Sequence, residues 1–145
     1  GDFDLFSYMS FRDYLDCLFL LGEQLEKDSR YEEALRLYEE LYEEESEPPR
    51  LRYFFDELCE RIKNLYTRKL VKQAKTTEDK LECYERVLEF DFDNATNAFA
   101  YKKMAEIHAQ MDDVDQARQY LDKALNLKPG LKGISKITAR LAAQA

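Results

Sequence analysis

His108 is the only histidine in the chain, and no second histidine or paired cysteine stands at helical spacing from it. General-base and metal chemistry need such company: a partner fixes the imidazole tautomer, and a metal takes several ligands. His108 therefore reads as a packing residue. Cys17, Cys59 and Cys83 are widely separated, form no CxxC pair and each falls in an apolar helical pattern. They read as small buried hydrophobes in a reducing compartment. No glycine-rich loop could cradle a phosphate, and no Ser or Cys has an activating base near it in sequence.

Carboxylates are plentiful. Glu32, Glu33, Glu39, Glu40, Glu43, Glu44 and Glu45 read as a solvated helix face. Asp91, Asp93 and Asn94, and again Asp112, Asp113 and Asp115, bring oxygen ligands together. Both groups lack the sixth-position glycine and distal glutamate of a calcium loop, so helix capping explains them better. These residue types predict a chain with no catalytic residues, no metal ligands and no cofactor, and so not an enzyme.

Charge is the remaining recognition chemistry. From Arg61 to Thr77 there are six bases (Arg61, Lys63, Arg68, Lys69, Lys72, Lys75) and no acid. On an α-helix the spacings of seven, four and three put Arg61, Arg68, Lys72 and Lys75 near one stripe. Such a stripe is either a solvated face balancing acidic neighbours or an attractor for an acidic peptide. The aromatics beside it, Phe54, Phe55 and Tyr66, sit at core spacing, and the whole chain carries a net charge of −8. Nucleic acid is therefore excluded as a partner, because phosphate neutralisation needs a basic face. Residues 1–60 hold 18 acids and six bases, net −12, whereas 61–145 hold 12 acids and 16 bases, net +4. Two copies could associate through these unlike halves, so a homo-oligomer is a second expectation.

The elements that position these groups are helices. The chain has 145 residues, 45% hydrophobic and 36% charged, with four glycines and three prolines. That composition suits one folded helical domain and is too poor in breakers for a many-turned β protein. The longest apolar run, Cys17 to Leu21, is five residues. A bilayer span needs about 20, so no membrane contact is expected and the protein reads as soluble and cytoplasmic. Gly1 in place of methionine suggests excision from a larger parent.

Seven helices are predicted. Ser10 and Asp13 resemble a capping box that opens the first, which runs to about Lys27. The second starts near Arg30 or Tyr31 and ends in the stretch before Pro48 and Pro49. The third is long, about Arg50 to Ala74, with Pro49 at its opening. Thr76 or Thr77 caps the fourth, ending near Asp91. Asp93 or Asn94 opens the fifth, and Asp112 or Asp113 separates it from the sixth, which stops at Lys128-Pro129-Gly130. A basic-apolar helix, about Ile134 to Ala143, closes the chain with Ile134, Ile137, Leu141 and Ala142 on one stripe. Residues 1–9 carry Phe3, Leu5, Phe6, Tyr8 and Met9 without a helical start, and read as an apolar leader packed on the first helix pair.

One segment recurs. Tyr31, Ala34, Tyr38, Leu41 and Tyr42, with Leu35 beside them, match Val114, Ala117, Leu121, Ala124 and Leu125 at the same offsets, and Leu81, Tyr84, Val87, Leu88 and Phe90 lie between the two sets. Here the chain resembles the tetratricopeptide repeat, a helix–turn–helix unit of about 34 residues. The copy at 98–131 has Tyr101 where the family prefers Trp, Met104-Ala105 for Leu-Gly, His108 for Tyr, then Ala117, Leu121, Ala124 and Pro129. The copy at 15–48 has Leu21-Gly22, Tyr31-Glu32-Glu33-Ala34 and Tyr38, but Leu18 for Trp, Leu25 for Tyr and Leu41 at a small slot. The copy at 50–94 fits only in its second helix. Tyr38 to Tyr84 is 46 residues, twelve more than one period, which a lengthened third helix with Cys59 at its small slot accounts for.

The resemblance implies an all-α, right-handed solenoid of antiparallel helix pairs over residues 10–131, closed by 132–145. It implies binding of a protein or peptide on the concave face made by first helices, and the basic run from Arg61 to Lys75 is what points to an acidic one. Mapped by repeat position, that groove is lined by Asp16, Phe19 and Glu23 at one end and by Phe99, Lys102, Lys103 and Glu106 at the other. Lys69 and Lys72 of the basic run are added. The carboxylate clamp of some family members, built from Lys and Asn, is incomplete: Phe19 and Glu23 occupy its first-copy positions.

Overall fold

The computed structural model describes residues 10–45 and 52–144. Every regular element among them is helical. In chain order they are α1 (Phe11–Lys27), α2 (Tyr31–Glu45), α3 (Arg52–Asn64), a π-helical segment (Leu65–Leu70), α4 (Val71–Gln73), α5 (Thr77–Phe90), α6 (Asn94–Gln110), α7 (Val114–Leu127) and α8 (Ser135–Ala143). The run from α3 to α4 is unbroken. Counted as one rod, it brings the described residues to the seven helices expected. The apolar leader 1–9, Pro48, Pro49 and the start of the third helix lie outside the described residues.

Side-chain caps set the helix starts. Ser10 accepts from the Asp13 amide at 3.1 Å, Thr76 from that of Asp79 at 3.1 Å, Asp93 from that of Thr96 at 2.7 Å and Asp113 from that of Gln116 at 3.4 Å. Each satisfies an amide with no partner inside its helix. One aspartate of each suspected cation cluster, Asp93 and Asp113, therefore acts as a cap.

Two turns close alike. Arg30 N–H donates to Leu25 C=O at 2.8 Å and Ser29 N–H to Glu26 C=O at 2.9 Å. Asp113 N–H donates to His108 C=O at 2.9 Å and Asp112 N–H to Ala109 C=O at 3.1 Å. Both are Schellman closures, and their pivots Ser29 and Asp112 take φ values of 59° and 61°. Asp91 turns the end of α5 in the same left-handed region, at φ 53°.

The packing divides the chain into two compact units, Gly1–Lys69 and Leu70–Ala145, with the boundary at the end of the π segment. In the first unit α1 packs on α2 and α2 on α3. Its core holds Leu15, Phe19, Ala34, Tyr38, Leu41, Phe54, Leu58 and Ile62. A Cβ on Gly22 would fall 2.5 Å from ring carbons Cε1 and Cζ of Tyr38, so only glycine admits that ring. In the second unit α5 packs on α6 and α6 on α7, while α8 rests on both α6 and α7. Ile137 and Leu141 of α8 join Ala105, Ala109, Ala117 and Leu121 in one cluster. Of the stripe expected on this last helix, Ala142 is instead exposed.

Other expectations change. Cys17 is exposed and Cys59 and Cys83 are half-buried, so the cysteines are not uniformly core residues. The outward turn of Cys17 follows from its place on α1, opposite buried Leu15, Phe19 and Gly22. Within the glutamate-rich α2, Glu45 is buried and Tyr66 donates to Glu39, so these two leave the solvated face.

Candidate functional site

Four of the expected groove residues come together on α6. Phe99, Lys102, Lys103 and Glu106 recur at helical spacing and therefore share a face. Phe99 is half-buried and meets Tyr84 of α5 edge to face, with ring centroids 6.4 Å apart. The Lys102 and Lys103 ammonium groups stand 5.5 and 5.6 Å from the Phe99 centroid, within reach of the ring's negative face. Lys102 also donates to the Lys132 carbonyl at 3.3 Å, which ties it to the loop before α8. Lys103 lies 3.8 Å from Glu106 across one turn. The patch thus has an apolar floor, two cations and one anion. Burial, with Cys83 and Glu106 close by, pushes the Tyr84 hydroxyl up to about 12 and keeps it neutral beneath Phe99.

The first-unit residues fare differently. Asp16 is exposed on α1, as a groove position requires. Phe19 is 8% exposed, packed against Tyr38 and Phe54, and belongs to the core. Glu23 is held by Arg61 at 2.8 Å, so its carboxylate is committed within the unit. Lys69 is exposed, with its ammonium 5.8 Å above the Tyr31 ring, and Lys72 is exposed on α4.

Arg61 is the residue that sequence reasoning placed wrongly. Its side chain is only 16% exposed. It donates to Glu23, to Glu57 at 3.2 Å, to the Tyr38 hydroxyl at 2.9 Å and to the Phe19 carbonyl at 3.3 Å. Its guanidinium also lies 4.3 Å from the Phe19 centroid. Burial opposes its charge, but the hydrogen bonds to Glu23 and Tyr38 outweigh that and raise its pKa. The Tyr38 hydroxyl donates a hydrogen bond to Glu26 at 2.9 Å, and burial pushes that hydroxyl up to about 12. Arg61 is therefore a structural tie between three helices. Arg68, Lys72 and Lys75 are exposed, and the π segment departs from the α-helical turn on which the spacings of seven, four and three were drawn.

His108 is 14% exposed and stacks on Tyr120, centroids 5.4 Å apart. Its Nδ1 approaches Asp113 Oδ2 at 3.4 Å without hydrogen-bond geometry. It packs, as its slot suggests. Tyr101 and Tyr120 stack beside it at 6.0 Å, with Lys123 5.6 Å from each ring. This second aromatic cluster was not anticipated, because it joins residues nineteen apart on two helices. Among the described residues no group of His, Cys, Asp and Glu is placed to hold a metal ion, and no helix is long and apolar enough to cross a membrane. No protein-family model matches the chain, and no curated protein matches it.

Proposed function

We propose that this chain is a helical-repeat module of the tetratricopeptide type that binds an acidic segment of another protein and catalyses no reaction. The α6 face carries this reading. Phe99 with Lys102 and Lys103 combines an apolar platform with two ammonium groups, a pairing suited to carboxylates flanking an apolar residue.

The repeat reading has its own support. Gly22, Leu25, Ser29, Ala34 and Tyr38 each recur 83 residues later, as Ala105, His108, Asp112, Ala117 and Leu121. Both sets contain the same buried small slots and the same left-handed pivot. Connections as short as Asp28 to Arg30, between helices that pack together, favour reversal of the chain and hence antiparallel pairs, the unit that the tetratricopeptide resemblance implies.

The test is an NMR titration of the ¹⁵N-labelled chain with an oligoglutamate peptide, and with oligolysine as control. Saturable shifts centred on Phe99 to Glu106 are expected with oligoglutamate alone, and Lys102→Glu with Lys103→Glu should abolish them while the helical circular dichroism is unchanged. Absence of any saturable shift, or shifts indifferent to the double variant, would refute the reading.

A further inference from the structure

We infer that copies of this chain associate head to tail, the outer face of α1 in one copy seating on the outer face of α8 in the next. The first observation is an apolar pair on α1 that no other described helix covers. Leu20 and Leu21 are 64% and 51% exposed on α1. Leu21 precedes Gly22 as Met104 precedes Ala105, yet Met104 is 1% exposed, in a helix that has α5 packed on it as well as α7. A large apolar side chain in this slot is normally covered by a neighbouring helix.

The second observation is what surrounds each face. Asp13 and Asp16, both exposed, stand respectively two turns and one turn before Leu20 on α1. On α8, Ile137 and Leu141 face inward, which leaves Lys136, Ala139, Arg140 and Ala143 outward and exposed. Arg140 has one internal carboxylate near it, Asp112 at 4.0 Å, and remains half exposed. The two faces complement each other in charge and in shape. Acids meet bases, and two leucines meet a shelf of alanines that allows close approach of helices. The faces differ from each other, so the contact is heterologous, and the inference is that it propagates from copy to copy. It covers little more than one helix face on each side, which places it in the weak, reversible class.

Sedimentation velocity over a rising concentration series at low salt tests this. The weight-average mass should climb past that of a dimer, and should return to that of one chain at roughly 0.5 M salt, where surface charges are screened. Asp13→Lys with Asp16→Lys, and separately Lys136→Asp with Arg140→Asp, should each give monomers. An equimolar mixture of the two should associate again, since each basic face then finds an acidic one. Should a reversal variant lose helix by circular dichroism, Leu20→Ser with Leu21→Ser replaces it and should also be monomeric. Lys102→Glu with Lys103→Glu should associate like the parent chain, which separates this contact from peptide binding on α6. A parent chain monomeric at every concentration, a closed dimer, or association that survives either reversal would overturn the inference.

Discussion

Gly22 and Arg61 show how single residues organise the first unit. Gly22 lies where the Tyr38 ring crosses α1, and Tyr38 in turn holds Arg61 and Glu26 through its hydroxyl. Gly22→Ala should therefore cost about 1–3 kcal/mol, since the added methyl overlaps a ring with no room to retreat. Urea melts would measure this. Tyr38→Leu made in the Gly22→Ala background should cost less than the same change made alone, because the two positions are in contact; strict additivity would show that the overlap is relieved elsewhere. The small slot was legible in the sequence, because a glycine inside an apolar helical pattern marks close approach. Arg61 was not. Its partners Glu23 and Tyr38 lie 38 and 23 residues away, and a stripe drawn on an ideal helix gave no sign that the guanidinium turns inward.

At the scale of elements, starts were easier to read than ends. Ser10 is a capping type legible as such, while Thr76, Asp93 and Asp113 each stood beside an equally suitable neighbour, Thr77, Asn94 and Asp112. The turns at Ser29, Asp91 and Asp112 lack the glycine that usually marks a left-handed pivot, so only the break in apolar periodicity located them. Ser29→Gly should raise stability by as much as about 1 kcal/mol, because a side chain is disfavoured in that conformation. Thermal or urea unfolding would show it, and a loss instead would mean that the Ser29 side chain does something at the turn that its backbone geometry does not reveal. The π segment was invisible for a different reason. It depends on which carbonyl each amide selects, and the side-chain pattern of Leu65 to Leu70 reads equally well as ordinary helix. The closing helix was legible because Ile137 and Leu141 are apolar at helical spacing near the end of an otherwise polar stretch, and they are the residues that pack.

For the whole molecule, alkaline pH is a sharp probe, since each unit holds a buried tyrosine whose hydroxyl is pushed up to about 12, Tyr38 in the first and Tyr84 in the second. An unfolded tyrosine titrates near 10. A group whose folded pKa is raised stabilises the fold fully below the unfolded value and loses that contribution as pH climbs through the folded one. Stability measured by urea should therefore fall between about pH 10 and 12. Tyr38→Phe and Tyr84→Phe should each flatten part of that fall, and a profile unchanged in the double variant would contradict the assignment. The helical class was readable from composition and periodicity. The division into units was not, because it falls inside a continuous rod where no breaker residue marks it. A joint of this kind resembles a splice in a shaft: the wider turn takes up a surplus residue that would otherwise break the thread. A helix that absorbs an extra residue in this way keeps its backbone hydrogen bonds, so the segment Leu65–Leu70 continues as helix where an insertion would otherwise end it.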